Sequence, residues 1–413
     1  MEKRIPLADL CDLIVDCKNR TPPAVGEGET PVGHAIGTPH INNGRIDLSN
    51  ANQVSKETFD TWTTRAVPQP GDIILTREAP VGRVGCVELG MKICLGQRTM
   101  LIRPNPQISN PRYLSYLLLG PQVQTELNSR ASGSTVPHLR VDQVRHLPVP
   151  EVPTLSTQRA IAEVLGALDD KIAVNERIAK TSISLGDGLH EILMSGGGSG
   201  SARVMSIAEL ASGGLLSFGD GYRTKRSEHG TPGLPILRVA EVGDGDITPA
   251  FADYVREEFR PAMGAKVSKS GDVVLTTKGT VGRVSLISAA QPEFVYSPQV
   301  CYFRTSSGSP ISNFYLFHWF RGQEFWRQAN GLKGQTDMAD YLSLRDVRSL
   351  RVTVPPHEQA SEFDEKCTAI YARVESARSE NRTLRELRDT LLPQLVTGKL
   401  RIKDAERAVE DAV

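Results

Sequence analysis

Two short stretches carry side chains suited to gripping a polyanion: Lys18-Asn19-Arg20-Thr21 and Tyr222-Arg223-Thr224-Lys225-Arg226. Arg, Lys, Asn and Thr reach phosphates and base edges, and a tyrosine can stack or contact a sugar. Both stretches follow segments of helical spacing that begin near Leu7 and Ile207, so they hold corresponding places. Three further polar loops recur in the same order. Arg77-Glu78 is answered by Thr277-Lys278, Gln97-Arg98 by Pro298-Gln299, and the segment holding Ser134, Thr135 and His138 by one holding Gln335 and Thr336. Glutamine and arginine pair bidentately with adenine and guanine, the chemistry of direct base readout. One basic loop alone is ordinarily a solvated surface. Recurrence in both halves brings the binding reading level with it.

Catalytic signatures do not accompany these loops. The sequence has no Gly-x-x-x-x-Gly-Lys-Ser/Thr phosphate loop, no Gly-x-Gly-x-x-Gly turn and no His-Glu-x-x-His helix. Asn110-Pro111-Arg112-Tyr113 departs from the Asn-Pro-Pro-Tyr of amino-methyltransferases at Arg112, and an Asn cap with Pro at the first helical position accounts for it. Asp72 and Asp272 precede apolar strands as a nuclease aspartate does, but no acid-x-Lys follows, so they read as turn residues. Cys11, Cys17, Cys86, Cys94, Cys301 and Cys367 have neither zinc-ligand nor disulfide spacing and read as buried thiols, with no metal site. The 48 basic residues balance 48 acidic ones, which argues against coating nucleic acid by bulk charge. The start of the chain lacks an apolar signal core, and no run approaches the ~18 apolar residues of a membrane span. A cytoplasmic protein with no membrane partner is the expectation.

The elements that position the loops are duplicated. Gly71-Asp72-Ile73-Ile74-Leu75-Thr76 through Val84 matches Gly271-Asp272-Val273-Val274-Leu275-Thr276 through Val284 at eight of fourteen positions, an offset of 200. Leu7-Ala8-Asp9-Leu10 pairs with Ile207-Ala208-Glu209-Leu210, and Val144-Arg145 with Val347-Arg348. Ordered matches at near-constant register mark an internal repeat. In each copy the Gly-Asp pair predicts a turn, the β-branched run a buried strand and Val-Gly-Arg-Val a second strand. Helical spacing recurs near Pro111 to Leu119 and Ile311 to Arg321. The expected fold class is α+β, with two homologous mixed domains.

From Thr154 the spacing becomes that of a helix seam: Ile161, Leu165, Leu168, Ile172 and Asn175. The second copy repeats it with Phe363, Cys367, Ile370, Val374, Ala377, Asn381, Leu384, Leu391 and Leu395, interrupted by Arg388 and opened by Pro355 and Pro356. Each helix is predicted to run about 40 residues, ~60 Å, with Gly186 and Gly188 weakening the last turns of the first. Two such stripes in one chain pack most economically on each other as an antiparallel coiled coil with a domain at each end. An asparagine on each stripe either fixes register or sits at the seam edge. The expected divisions are a domain at 1–153, a helix at 154–195, a Gly/Ser linker, native or introduced, at 196–202, a second domain at 203–355, a helix at 356–398 and a tail at 399–413.

These blocks in this order resemble the specificity subunit of type I restriction-modification systems, across essentially the whole chain. The resemblance rests on the two Gly-Asp…Val-Gly-Arg-Val blocks and on Ser132-Gly133-Ser134-Thr135-Val136-Pro137-His138-Leu139. It rests also on Leu168-Asp169-Asp170-Lys171-Ile172 and on Leu391-Leu392-Pro393-Gln394-Leu395…Gly398-Lys399-Leu400. The Val-Pro-His-Leu stretch is missing from the second half near Gly334-Gln335-Thr336-Asp337-Met338. The resemblance implies two target-recognition domains that each read half of a split double-stranded DNA target, and helices that dock two methyltransferase subunits. Restriction subunits join in the full complex. It implies no cofactor on this chain: S-adenosylmethionine belongs to the methyltransferase, and ATP and Mg to the restriction subunit. Unlike loops in the two domains imply an asymmetric target whose half-sites lie on the order of one helical turn apart. The rival readings are a duplicated methyltransferase or nuclease, and a coiled-coil scaffold without DNA specificity.

Overall fold

The computed structural model describes residues 3–133, 136–195, 203–248, 250–332, 334–335 and 340–411. Ser134, Thr135, Thr336 and residues 196–202 of the linker lie outside them, and only the backbone of Gln335 is described. The chain forms two compact units, one of residues 1–173 with 382–413 and one of residues 174–381.

The first unit is built on an antiparallel sheet of β1 (Cys11–Asp16), β2 (Ile73–Arg77), β3 (Val81–Cys86) and β4 (Thr99–Pro104), in the order β1-β4-β2-β3. Ile73, Ile74 and Leu75 are all fully buried, because both faces of the sheet are covered. Ile73 and Leu75 join a core with α1 (Pro111–Leu119), while Ile74 packs with Ile36, Ile41 and Ile93 on the other side. This is why the run is continuously apolar instead of alternating. The second unit repeats the sheet with β5 (Leu216–Asp220), β6 (Val273–Thr276), β7 (Val284–Leu286) and β8 (Val300–Thr305), in the matching order β5-β8-β6-β7.

The turn before each central strand needs glycine, since Gly71 and Gly271 have φ of +89° and +86°. Asp72 then accepts the Gln69 N–H at 2.8 Å and a two-pronged bond from Arg103 at 2.8 and 2.7 Å. Asp272 does the same with the Lys269 N–H at 2.9 Å and with Arg304 at 2.6 Å on each oxygen, and adds the Tyr296 hydroxyl at 2.7 Å. Both aspartates are structural clamps.

Three local expectations change. Leu7–Leu10 is a single 3₁₀ turn, so the Lys18 loop follows strand β1, whereas Ile207–Ser212 is a true helix capped by Ser206 and Glu209. The second Val-Gly-Arg-Val is strand only from Val284, because the Gly282 N–H bonds to Thr276 O at 3.0 Å and the Thr276 hydroxyl to Thr280 O at 2.5 Å, closing a turn. The expected tail contains a helix, Ile402–Glu410, whose Ala405 is fully buried in the first unit's core.

The long helices are α2 (Leu155–Ser195) and α3 (His357–Val396), of 41 and 40 residues. In the first unit Ile161, Leu165, Leu168 and Ile172 share a core with Leu384, Leu391 and Leu395. Arg388, which interrupts the stripe, bonds Asp169 at 2.9 Å, and Asp169 also accepts the Tyr116 hydroxyl at 2.6 Å. In the second unit the Asn175 amide donates to the Asn381 side-chain oxygen at 3.0 Å, with both residues buried, and to Glu380 at 2.8 Å. His190 meets Phe363 farther along, so the helices are antiparallel. Phe363 and Val374 are buried as seam residues, but Ile370 is only partly so. Tyr371 takes the central place, stacked on Phe314 and 3.3 Å from His318.

Gly186 does not end α2. A Cβ there would fall 2.4 Å from the His318 ring, so its absence lets that ring lie against the helix, where it bonds Asp187 at 2.7 Å. Burial also pushes His190 down to about 4 from its usual 6.5. A base whose folded value is lowered leaves the unfolded state binding more protons between those values, so stability present above pH ~6.5 falls toward pH ~4. The second unit should therefore lose denaturation midpoint through that window, and His190→Gln should flatten the loss. An unchanged acid slope in the variant would show that His190 does not contribute.

Candidate nucleic-acid interface

In each sheet the two strands flanking the second strand in sheet order run opposite to it, which fixes where the loops emerge. β1 and β2 both pair antiparallel with β4, so their C-terminal ends and the start of β4 share one end of the sheet. The Lys18 to Thr21 loop, the Arg77-Glu78 connection and the Gln97-Arg98 turn all lie there. Backbone bonds join them: Cys17 N to Thr99 O at 3.3 Å, Arg77 N to Arg98 O at 2.9 Å and Leu139 N to Arg77 O at 2.8 Å. His138 bridges both Glu78 and Ser132, adding a short ladder at the same place.

The side chains there are unequal in access. Lys18, Asn19, Arg20 and Thr21 are exposed, with the Lys18 ammonium 4.8 Å from the centre of the Trp62 ring. Trp62 donates its indole N–H to Arg20 O at 3.2 Å, and Arg65 holds the Asp16 carboxylate and the Cys17 carbonyl. Arg77 is mostly buried and lies 3.8 Å from Asp16, so it braces the loop. Arg98 is exposed, adopts φ +75° and lies 3.9 Å from Glu78, while Gln97 and His138 are half-buried.

The second unit brings the corresponding loops to the same end of its own sheet. Thr277 N bonds Gln299 O at 2.9 Å, Leu342 N bonds Thr277 O at 2.9 Å, and Tyr222 N bonds Tyr296 O at 2.7 Å. Arg223, Lys225, Arg226, Lys278 and Gln299 are exposed; Tyr222 and Thr224 are half-buried, with Thr224 bonded to His229 at 2.8 Å. Lys278 bridges Tyr341, and Gln335 pairs through its backbone with Asp340. Tyr341-Leu342 thus fills the place of His138-Leu139, which accounts for the missing Val-Pro-His-Leu stretch. Lys266 pins the start of the loop by donating to Gly221 O at 2.7 Å.

Sequence reasoning missed Trp62, Arg65, Lys266 and Tyr341. The offset of 203 that aligns Val144 with Val347 also aligns His138 with Tyr341, and was a usable signal. The residues considered for chemistry are occupied otherwise. Asn110 caps α1 by accepting the Tyr113 N–H at 3.0 Å, and Arg112 bonds Asp170 at 2.7 Å. Burial raises the Cys11 and Cys367 thiols to about 12 and those of Cys86 and Cys94 to about 11, far from thiolate chemistry. No cluster of three or more metal-ligating side chains occurs among the described residues.

Comparison with known proteins bears on what such a duplicated platform is for. Residues 3–181 match the type I restriction modification DNA specificity domain. The first repeat thus carries the domain of type I restriction-modification specificity subunits, and proteins of that name are similar to the chain over most of its length. The MjaVIII specificity subunit of Methanocaldococcus jannaschii is 22% identical over 347 residues, covering 81% of this chain and 80% of that protein. The MjaIX subunit of the same organism is 21% identical over 376 residues, covering 85% and 82%. The fold matches that of the type I S subunit from M. genitalium with a TM-score of 0.51 and 16% identity over 96% of each chain.

Trp62 is the feature on which the first loop rests. Trp62→Ala should leave the global melting temperature within a few degrees while accelerating amide hydrogen exchange from Lys18 to Thr21. Unchanged exchange would show that the loop holds its form without the ring.

Proposed function

We propose that this chain is a specificity subunit, the non-catalytic reader of a two-part, asymmetric double-stranded DNA target, with each unit reading one half. The observation that carries this is the recurrence, at the same end of two equivalent sheets, of polar loops whose framework is shared and whose exposed side chains differ. Lys-Asn-Arg-Thr stands against Tyr-Arg-Thr-Lys-Arg, and Glu78 with Arg98 against Lys278 with Gln299. Shared framework with unlike contacts is what unlike half-sites need. The balance of 48 basic and 48 acidic residues implies modest affinity for the isolated chain, with phosphate contacts coming largely from partners.

Those partners are two methyltransferase subunits, which bring S-adenosylmethionine, and in the full complex restriction subunits using ATP and Mg. An outer stripe of α2 supports docking of a helix there: Val174, Leu185 and Ile192 are 51%, 56% and 69% exposed, large for residues of their kind. The double change Leu185→Glu with Ile192→Glu should abolish co-purification with the methyltransferase and preserve the far-ultraviolet circular dichroism. Intact assembly would place the docking surface elsewhere.

Binding selections on randomised duplexes, using the chain with its methyltransferase partner, test the reading of DNA. Arg20→Ala should alter preference in one half-site only, and Arg223→Ala in the other. An equal loss over all sequences with a salt slope lowered by about 1 would make them phosphate contacts instead. Methylation of DNA by the purified chain alone would replace this reading with the enzyme one.

A further inference from the structure

At the centre of each loop cluster the ladder presents one cross-strand pair, and the two pairs carry opposite charge. In the first unit Glu78 faces His138; in the second Lys278 faces Tyr341. The places are equivalent, because the next residue of the returning strand, Leu139 or Leu342, bonds to the carbonyl of Arg77 or Thr277. All four side chains are half-buried or exposed. Each pair is a single antiparallel bridge just beyond the end of the central strand, so backbone pairing fixes its place.

A carboxylate on a surface that meets DNA is repelled by the phosphates. It becomes favourable only where it accepts a hydrogen bond from an exocyclic amine, cytosine N4 or adenine N6. The Glu78 side chain is 22% exposed, and Arg98 lies 3.9 Å away, partly offsetting its charge and holding it in place. An ammonium in the same place makes the opposite demand, for the guanine O6 and N7 acceptors or thymine O4. Cross-strand neighbours lie about 5 Å apart at Cβ, comparable with the ~3.4 Å step of a DNA strand, so the second member of each pair reaches an adjacent base.

We infer that Glu78 with His138 and Lys278 with Tyr341 are the central base-reading pairs, and that their reversed charge makes the first half-site present a major-groove donor where the second presents an acceptor. This rests on the DNA-reading function proposed above, and it assigns Glu78 and Tyr341 a specificity role.

The test is selection on randomised duplexes by the full chain with its methyltransferase partner, comparing the unaltered protein with Glu78→Ala and Lys278→Glu. Glu78→Ala should weaken a cytosine or adenine preference at one position of the first half-site by about tenfold or more, with the second half-site unchanged as a control for folding. Lys278→Glu should turn a guanine or thymine requirement at one position of the second half-site into one for cytosine or adenine. Base preferences unaltered in both variants, or a uniform loss with no change of preference, would overturn the inference. An unaltered protein that selects no two-part sequence would instead overturn the function on which it rests.

Discussion

In each unit a buried aspartate at the start of the central strand is held by both arms of an arginine on the neighbouring strand, Asp72 by Arg103 and Asp272 by Arg304. Such a pair is well satisfied as it stands, and removing one partner from a buried pair costs about 3–5 kcal/mol. The low end of that range applies here because the arginines are partly exposed. Its larger consequence is geometric. It ties the turn before the central strand to a given residue of its neighbour, and a slip by one residue would reverse every side chain between the faces. Because both faces of the strand are buried, no slipped register is tolerated. The loops at the far end of the sheet inherit that precision.

The helices obey a similar logic with polar groups. Asn175 and Asn381 in one unit, and Asp169 with Arg388 and Tyr116 in the other, set polar partners within apolar stripes. Leucine at these places would pack in several registers, whereas a buried amide or ion pair is satisfied in only one. The helices supply core to each reading unit as well as a surface of their own, as the shared clusters around Leu168 and Phe363 show.

The duplication, the mixed fold and the helix stripes were legible in the sequence because each is periodic. What escaped it depends on contacts distant in sequence. Tyr371 displaces Ile370 from the seam because Phe314 and His318 lie beside it, and α2 continues through Gly186 because a histidine needs the space. The helix at Ile402–Glu410 does place Ile402, Ala405 and Val409 on one face, but over only nine residues, most of them charged. Among the loop residues, recurrence identified where to look but could not separate Arg77, which braces, from Arg98, which is exposed.

The proposed recognition requires one end of each sheet to face DNA. Photo-crosslinking residues placed at position 98 or 299, at that end, and at 107 or 307, in the turns after the opposite ends of the same strands, test this directly in the complex with methyltransferase and target duplex. Crosslinks from 98 and 299, each to a different half-site, with none from 107 and 307, are the expected result. Crosslinks from 107 and 307, or equal yields from both ends, would contradict the account.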